Sequence, residues 1–158
     1  MINTEDNSGS SFLQMFYDKW QPELIDYMTN ARNGHKYDFK VSNGESTSIL
    51  GSKPDPYRGM PIGKGSDEKN IYASARDIGN IAAGYVAGAN GIGWISARAA
   101  FDGYQILSNI LSSSISDNIK TGFRRESLST RVPEYYGWTR GYLNYNHKRR
   151  INWYLYDK

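Results

Sequence analysis

The amino-acid sequence predicts a compact, mainly helical α+β domain in which a small strand or hairpin region accompanies several helices. Apolar residues recur at three- and four-residue steps over four separate stretches, which is the helical period. Between residues 35 and 72 that period gives way to polar–apolar alternation and to Gly, Pro and Ser, the composition of short strands and turns. The chain has 158 residues, is 39% apolar and has no cysteine. A chain of this length buries roughly 70% of the surface it exposes unfolded and needs no disulfide or metal to hold a core.

Residues 1–10 are polar, with Glu5 and Asp6, and predict a disordered lead-in or linker ahead of a single domain over 11–158. From Ser11, the positions of Phe12, Phe16, Trp20, Leu24, Ile25 and Met28 predict a helix. Pro22 either kinks it or opens a second one, and Asn33-Gly34 closes it. His35 to Val41 alternates as a strand would, Arg58–Gly63 has the residues of a turn, and Lys64–Asp67 resembles a hairpin tip before Asn70-Ile71-Tyr72. Ser74 followed by Asp77 has the form of a capping box and opens a helix to about Gly88. On it, Ile78, Ile81, Ala82 and Tyr85 fall on one side and Asp77, Asn80, Gly84 and Ala87 on the other. Its small residues Ala83, Gly84, Ala87 and Gly88 permit another backbone or a ligand to come close. A helix from about Trp94 to Ser112 and two further helices, around Pro133–Tyr142 and Tyr145–Tyr156, complete the expected order, with Trp20 and Trp94 in the core.

Charge is distributed unevenly. Residues 120–158 hold nine Lys/Arg against three acidic residues, a net of +6 in a chain whose total is +3. Tyr and Trp are interleaved with these cations, a surface suited to a polyanion whose bases stack, or equally to a sugar polymer. Without cysteine there is no thiolate metal site, iron–sulfur cluster or thiol nucleophile. His35 and His147 stand too far apart for a histidine-pair zinc motif, and neither a nucleophile elbow nor a phosphate-binding glycine loop occurs. A divalent cation held by carboxylates stays compatible with the sequence. No apolar run reaches the ~18–20 residues of a membrane span.

Tyr37-Asp38-Phe39-Lys40, followed by the run Ala75-Arg76-Asp77-Ile78-Gly79-Asn80-Ile81-Ala82-Ala83-Gly84-Tyr85-Val86-Ala87-Gly88, resembles the bacterial polymorphic toxin type 44 domains. Ser116–Gly122 is a loose match to a later motif of that family. Arg58–Gly63 and Ser129-Thr130-Arg131 with Tyr136-Gly137-Trp138 resemble the C-terminal toxin tips of Rhs-type polymorphic toxins. The likeness spans about residues 37–140. It departs at Ala82-Ala83, where many members carry His or Asn and then Tyr, so any role of those side chains does not transfer.

The resemblance implies an antibacterial effector released from a larger delivery protein into a target cell, neutralised by a cognate immunity protein, and acting on RNA. On that reading Asp77 is the general acid or base and Asn80 orients substrate. Asp38 and Lys40, on one face of a strand, supply a carboxylate and a cation, and His35 is a proton shuttle. Arg58, Arg76 and Arg131 bind phosphate. A second expectation is a peptidoglycan hydrolase of the periplasm, in which Asp38 and Asp77 form a glycosidase pair. A third is a non-enzymatic interaction module.

Overall fold

The computed structural model describes residues 2–31, 34–39, 58–112 and 128–156. They form helices α1 (Ser8–Tyr17) and α2 (Leu24–Asn30), a hairpin of β1 (Gly59–Lys64) and β2 (Asn70–Ser74), and helices α3 (Ala75–Ala89), α4 (Trp94–Ser112) and α5 (Leu128–Tyr156). The mainly helical α+β class is therefore observed, but its parts are arranged differently from expectation in four places.

The first difference is the amino terminus. Residues 2–10 are tied to the fold: Ile2 bridges Gly59 in parallel, the Asn3 N–H donates to the Gly59 carbonyl at 2.9 Å, and Asp6 pairs with Arg58 at 2.8 Å. Burial works against the Asp6 charge, but hydrogen bonds from Ser8 and the Arg58 guanidinium outweigh it and hold the carboxyl below its ordinary range. Helix α1 starts at Ser8, three residues earlier than expected, and its Gly9 is buried where a Cβ would strike Ile78 and Met60.

The strands come next. Residues 34–37 turn instead of extending: the Tyr37 N–H donates to the Asn30 carbonyl and the Asp38 N–H to that of His35. The strand lies at Gly59–Lys64, where turns were expected. A two-stranded sheet has only outer edges, so β1 tolerates Pro61 and breaks register between Pro61 and Gly63 without stranding a neighbour. Gly65–Lys69 does form the hairpin tip, with Glu68 in left-handed backbone at φ 62°.

Helix α3 is capped as the sequence predicts. The Ser74 side chain accepts the Asp77 N–H and the Asp77 carboxylate accepts the Ser74 N–H. Its apolar side is not the only one covered: Gly84, Ala87 and Gly88 are buried along with Ile78, Ile81, Ala82 and Tyr85. The helix is sheathed because α5 lies on its small-residue face. A Cβ at Gly84 would land on the Glu134 carbonyl, one at Gly88 on that of Trp138, one at Gly137 on that of Ile81, and one at Gly141 on that of Tyr85. Two glycine pairs spaced by four thus fit into each other, backbone on backbone, in rising register, so α3 and α5 run parallel. A parallel pair needs a return, and α4 supplies it, with Trp94 beside Trp138 and, one turn on, Arg98 beside Glu134.

The fourth difference is α5 itself, one continuous helix of 29 residues where two were expected. Pro133 sits in its second turn, and Gly141 and Asn144 do not end it because both are held by Tyr85: Gly141 against the carbonyl, and Asn144 donating to the hydroxyl at 2.7 Å.

The remaining core is aromatic. Phe12 and Phe16 of α1 meet edge to face at 5.2 Å, Phe12 tilts against Phe39 at 5.0 Å, and Tyr27 of α2 stacks on Tyr37 at 5.7 Å. With Leu13, Met60, Ile78, Tyr85 and Val86 these rings fill the space between α1, the hairpin and α3, each contributing about 1.5–3 kcal/mol of burial.

Candidate functional site

The parallel α3–α5 pair places both helix starts at one end of the bundle, so two partial positive charges share it. The elements that frame this end are joined by specific bonds. The Ala75 N–H donates to the Arg58 carbonyl at 3.0 Å, which brings the start of β1 to the start of α3. Arg76 Nη2 donates to Thr130 Oγ1 at 3.1 Å, which clamps the first turn of α3 to the first turn of α5 beside Arg131. Asn80 lies one turn above Arg76 on the same face. Arg58, Arg76, Asp77, Asn80 and Arg131 thus sit on elements that meet at one end of the bundle.

Among the described residues three donors on these elements have no acceptor: Arg58 Nε, Asn80 Nδ2 and Arg131 Nε are buried without a hydrogen-bond partner. A buried donor left unmade costs about 1–3 kcal/mol, and native structures carry few of them. Asp77 is oriented rather than consumed: its Oδ2 accepts both the Ser74 N–H at 3.1 Å and the Ser74 hydroxyl at 2.6 Å. Among the described residues its Oδ1 has no hydrogen-bond partner.

Asp38 lies on a turn rather than a strand. It is buried, and its Oδ2 accepts the Gly34 N–H at 2.9 Å. Next to it, Tyr37 stacks on Tyr27, whose hydroxyl donates to the Gly79 carbonyl at 3.3 Å. His35 is exposed on the same turn, and among the described residues its ring makes no hydrogen bond or ion pair. Lys40 and the Ser116–Gly122 segment lie outside the described residues. Trp20, expected in the core, is 53% exposed and stacks on the exposed His147.

The sequence reading missed a buried ionic cluster one turn along. Arg98 pairs with Glu134, which is almost fully buried, and its Nη2 pairs with Asp102 at 2.7 Å. Arg98 and Asp102 have the four-residue spacing of a helical ion pair, the only trace in the sequence; Glu134 joins them through the tertiary fold alone. Among the described residues no three His, Asp or Glu side chains form a metal-binding group, and no helix is long and apolar enough to cross a membrane.

Comparison of the chain with protein-family models, with curated proteins and with solved structures gives no match.

Proposed function

We propose that this domain is an antibacterial toxin that cleaves RNA at the end of the bundle where α3 and α5 begin. The observation that carries the reading is the set of three buried donors without acceptors, on Arg58, Asn80 and Arg131, at a doubly positive helix end. The Nε groups of Arg58 and Arg131 and the Asn80 amide, without an acceptor among the described residues while Asp6 holds Arg58 through Nη2, suit a phosphodiester better than a neutral sugar, because charge-assisted bonds to phosphate oxygens are about twice as strong as neutral ones. In the reaction, Asp77 Oδ1 takes the proton of the ribose 2′-hydroxyl as that oxygen bonds to phosphorus. The 5′-oxygen departs and takes a proton from water, while the arginines balance the charge that grows on the phosphoryl oxygens. Ser74, holding Oδ2, positions the base. The resemblance to polymorphic toxins supplies the biological setting: a delivery protein upstream, an immunity protein as inhibitor and the target cytoplasm as the place of action.

The test is expression of the chain in a bacterial cytoplasm and, with an export signal, in the periplasm. Cytoplasmic growth arrest with degraded RNA is expected. Asp77→Asn, which keeps an acceptor for the Ser74 N–H and hence most of the cap, removes the base and lowers RNA cleavage at least about 100-fold. Intact RNA from both proteins, with purified peptidoglycan solubilised by the wild type, overturns the nuclease in favour of the glycan hydrolase. If neither polymer changes and both expressions are harmless, the domain is a binding module.

A further inference from the structure

Helix α5 carries a continuous stripe from the proposed scissile end to its far tip. Tyr135 stacks on Trp138 at 5.7 Å and 20°, Trp138 on Tyr142 at 4.9 Å and 18°, and Tyr142 on Tyr145 at 6.0 Å and 30°. The Arg149 guanidinium lies 5.8 Å from the Tyr145 ring. Arg149 then joins Asn146, Arg150 and Trp153 around an open groove of about 420 Å³. These positions follow Arg131 at steps of three and four, and at 100° per residue the 22 positions from Arg131 to Trp153 return to within about 40° of the starting direction, over ~33 Å. One face of one helix therefore links an unpaired phosphate-type donor, a ladder of rings and a basic, aromatic groove. Helix α3 ends at Ala89, opposite Tyr142, so the groove stands on the part of α5 that α3 no longer covers.

The ladder is built, not incidental. Gly91 adopts φ 75°, and a Cβ there would enter the Tyr145 ring; the Trp138 indole N–H donates to the Ile92 carbonyl at 2.8 Å; Trp94 braces Tyr135 edge-on at 5.0 Å. At its two ends, Tyr135 and Trp153 remain 50% and 61% exposed. Five Lys/Arg against one Glu on α5 match a polyanion, and flat rings at intervals match the unpaired bases of one. A duplex hides its bases, and an acidic protein offers none.

We propose that this stripe is a single-stranded RNA track: bases stack on the exposed rings of Tyr135 and Trp153 at its two ends, the half-buried ladder between them fixes their spacing, and Arg149, Arg150 and Trp153 hold the strand several nucleotides from the cleavage point. The proposal rests on the nuclease reading for what lies at the Arg131 end, but binding is measured without cleavage. Full-length Asp77→Asn protein is titrated against fluorescent single-stranded oligoribonucleotides of about 4 and about 12 nucleotides, the size range of known single-strand sites. Trp153→Ala and the double change Arg149→Gln, Arg150→Gln each weaken the longer strand about tenfold or more and leave the shorter within about twofold. The double variant also flattens the salt dependence by roughly one to two charges. All three side chains project from the helix, and circular dichroism verifies that the variants stay folded. Unchanged affinity for the longer strand, or tighter binding of a duplex of equal length, overturns the track. If the strand binds through these residues but the wild type leaves RNA intact, the track stands and the nuclease reading falls. If RNA is cleaved and Trp153→Ala binds and cleaves long strands as the wild type does, the reverse holds.

Discussion

The two halves of α5 obey opposite rules. From Glu134 to Tyr142 the helix is set by subtraction: Gly137 and Gly141 are present because the carbonyls of Ile81 and Tyr85 occupy the space a Cβ would fill. From Asn146 to Leu155 it is set by addition: Arg149, Arg150, Trp153 and Tyr154 extend into solvent, and the segment is tied to the connection between α1 and α2 by Lys148 Nζ donating to Gln21 Oε1 at 2.9 Å and by His147 stacking on Trp20. The same secondary structure is rigid where its side chains vanish and adaptable where they lengthen. A binding surface built on such a helix gets its register from one half and its chemistry from the other.

The comparison breaks most sharply at the glycines. Gly84→Ala or Gly137→Ala forces the helices apart along the whole contact, an overpacking in which the atom met is backbone and cannot rotate away; a loss of about 3 kcal/mol or more, or failure to fold, is expected in urea titration. Gly103→Ala in α4 is the control. A Cβ there meets nothing within 4 Å, so stability rises by about 0.5–1 kcal/mol from helix propensity alone. Equal effects at the two kinds of site would mean that the interlock is not what holds α3 to α5.

Next in size is the buried charge that fixes α4 to the pair. Arg98→Met leaves Glu134 buried beside a neutral side chain and costs about 3–5 kcal/mol. Adding Glu134→Gln to it recovers part of the loss, and a double-mutant cycle measures the coupling.

The smallest effect is a pH dependence on the side of the bundle away from the groove. Burial pushes the Tyr17 phenol up to about 12, although the Arg140 guanidinium 3.8 Å from its ring pulls the other way. The folded state keeps this proton more tightly than the unfolded chain, whose tyrosines ionise near 10. The stability it contributes is therefore complete below about pH 10 and lost as pH rises from about 10 to about 12, on the order of 2 kcal/mol. Tyr17→Phe makes the denaturation midpoint less sensitive to pH across that window, and Tyr85, also raised by burial, accounts for the remainder. A Tyr17→Phe protein with the wild-type pH profile would place the sensitivity elsewhere.

Local signals in the sequence were read correctly where they are complete in themselves. The capping box at Ser74 and Asp77 and the hairpin tip read at Lys64–Asp67, observed at Gly65–Lys69, each depend on residues within five positions. The strand expected at 35–41 does not form over its described part, 35–39, because alternation alone does not form one: residues 34–37 are drawn into a turn by Tyr37, which reaches back to Asn30 and, through its hydroxyl, to Asp26 at 2.7 Å. The strand at Gly59–Lys64 was hidden because its Pro and Gly signal turns, and only its place at the edge of a two-stranded sheet admits them.

By itself, then, the sequence determined the helical class, the α3 cap and the basic aromatic tail, since each rests on composition or short spacing, whereas Arg58, Arg76, Asp77, Asn80 and Arg131 entered through what the family resemblance implies. Only the tertiary structure decided that the two glycine pairs interlock in parallel. That register is an agreement between backbones 50 to 56 residues apart, which no local pattern encodes. From it follow the shared positive end of α3 and α5 and the stripe that runs from Arg131 down α5.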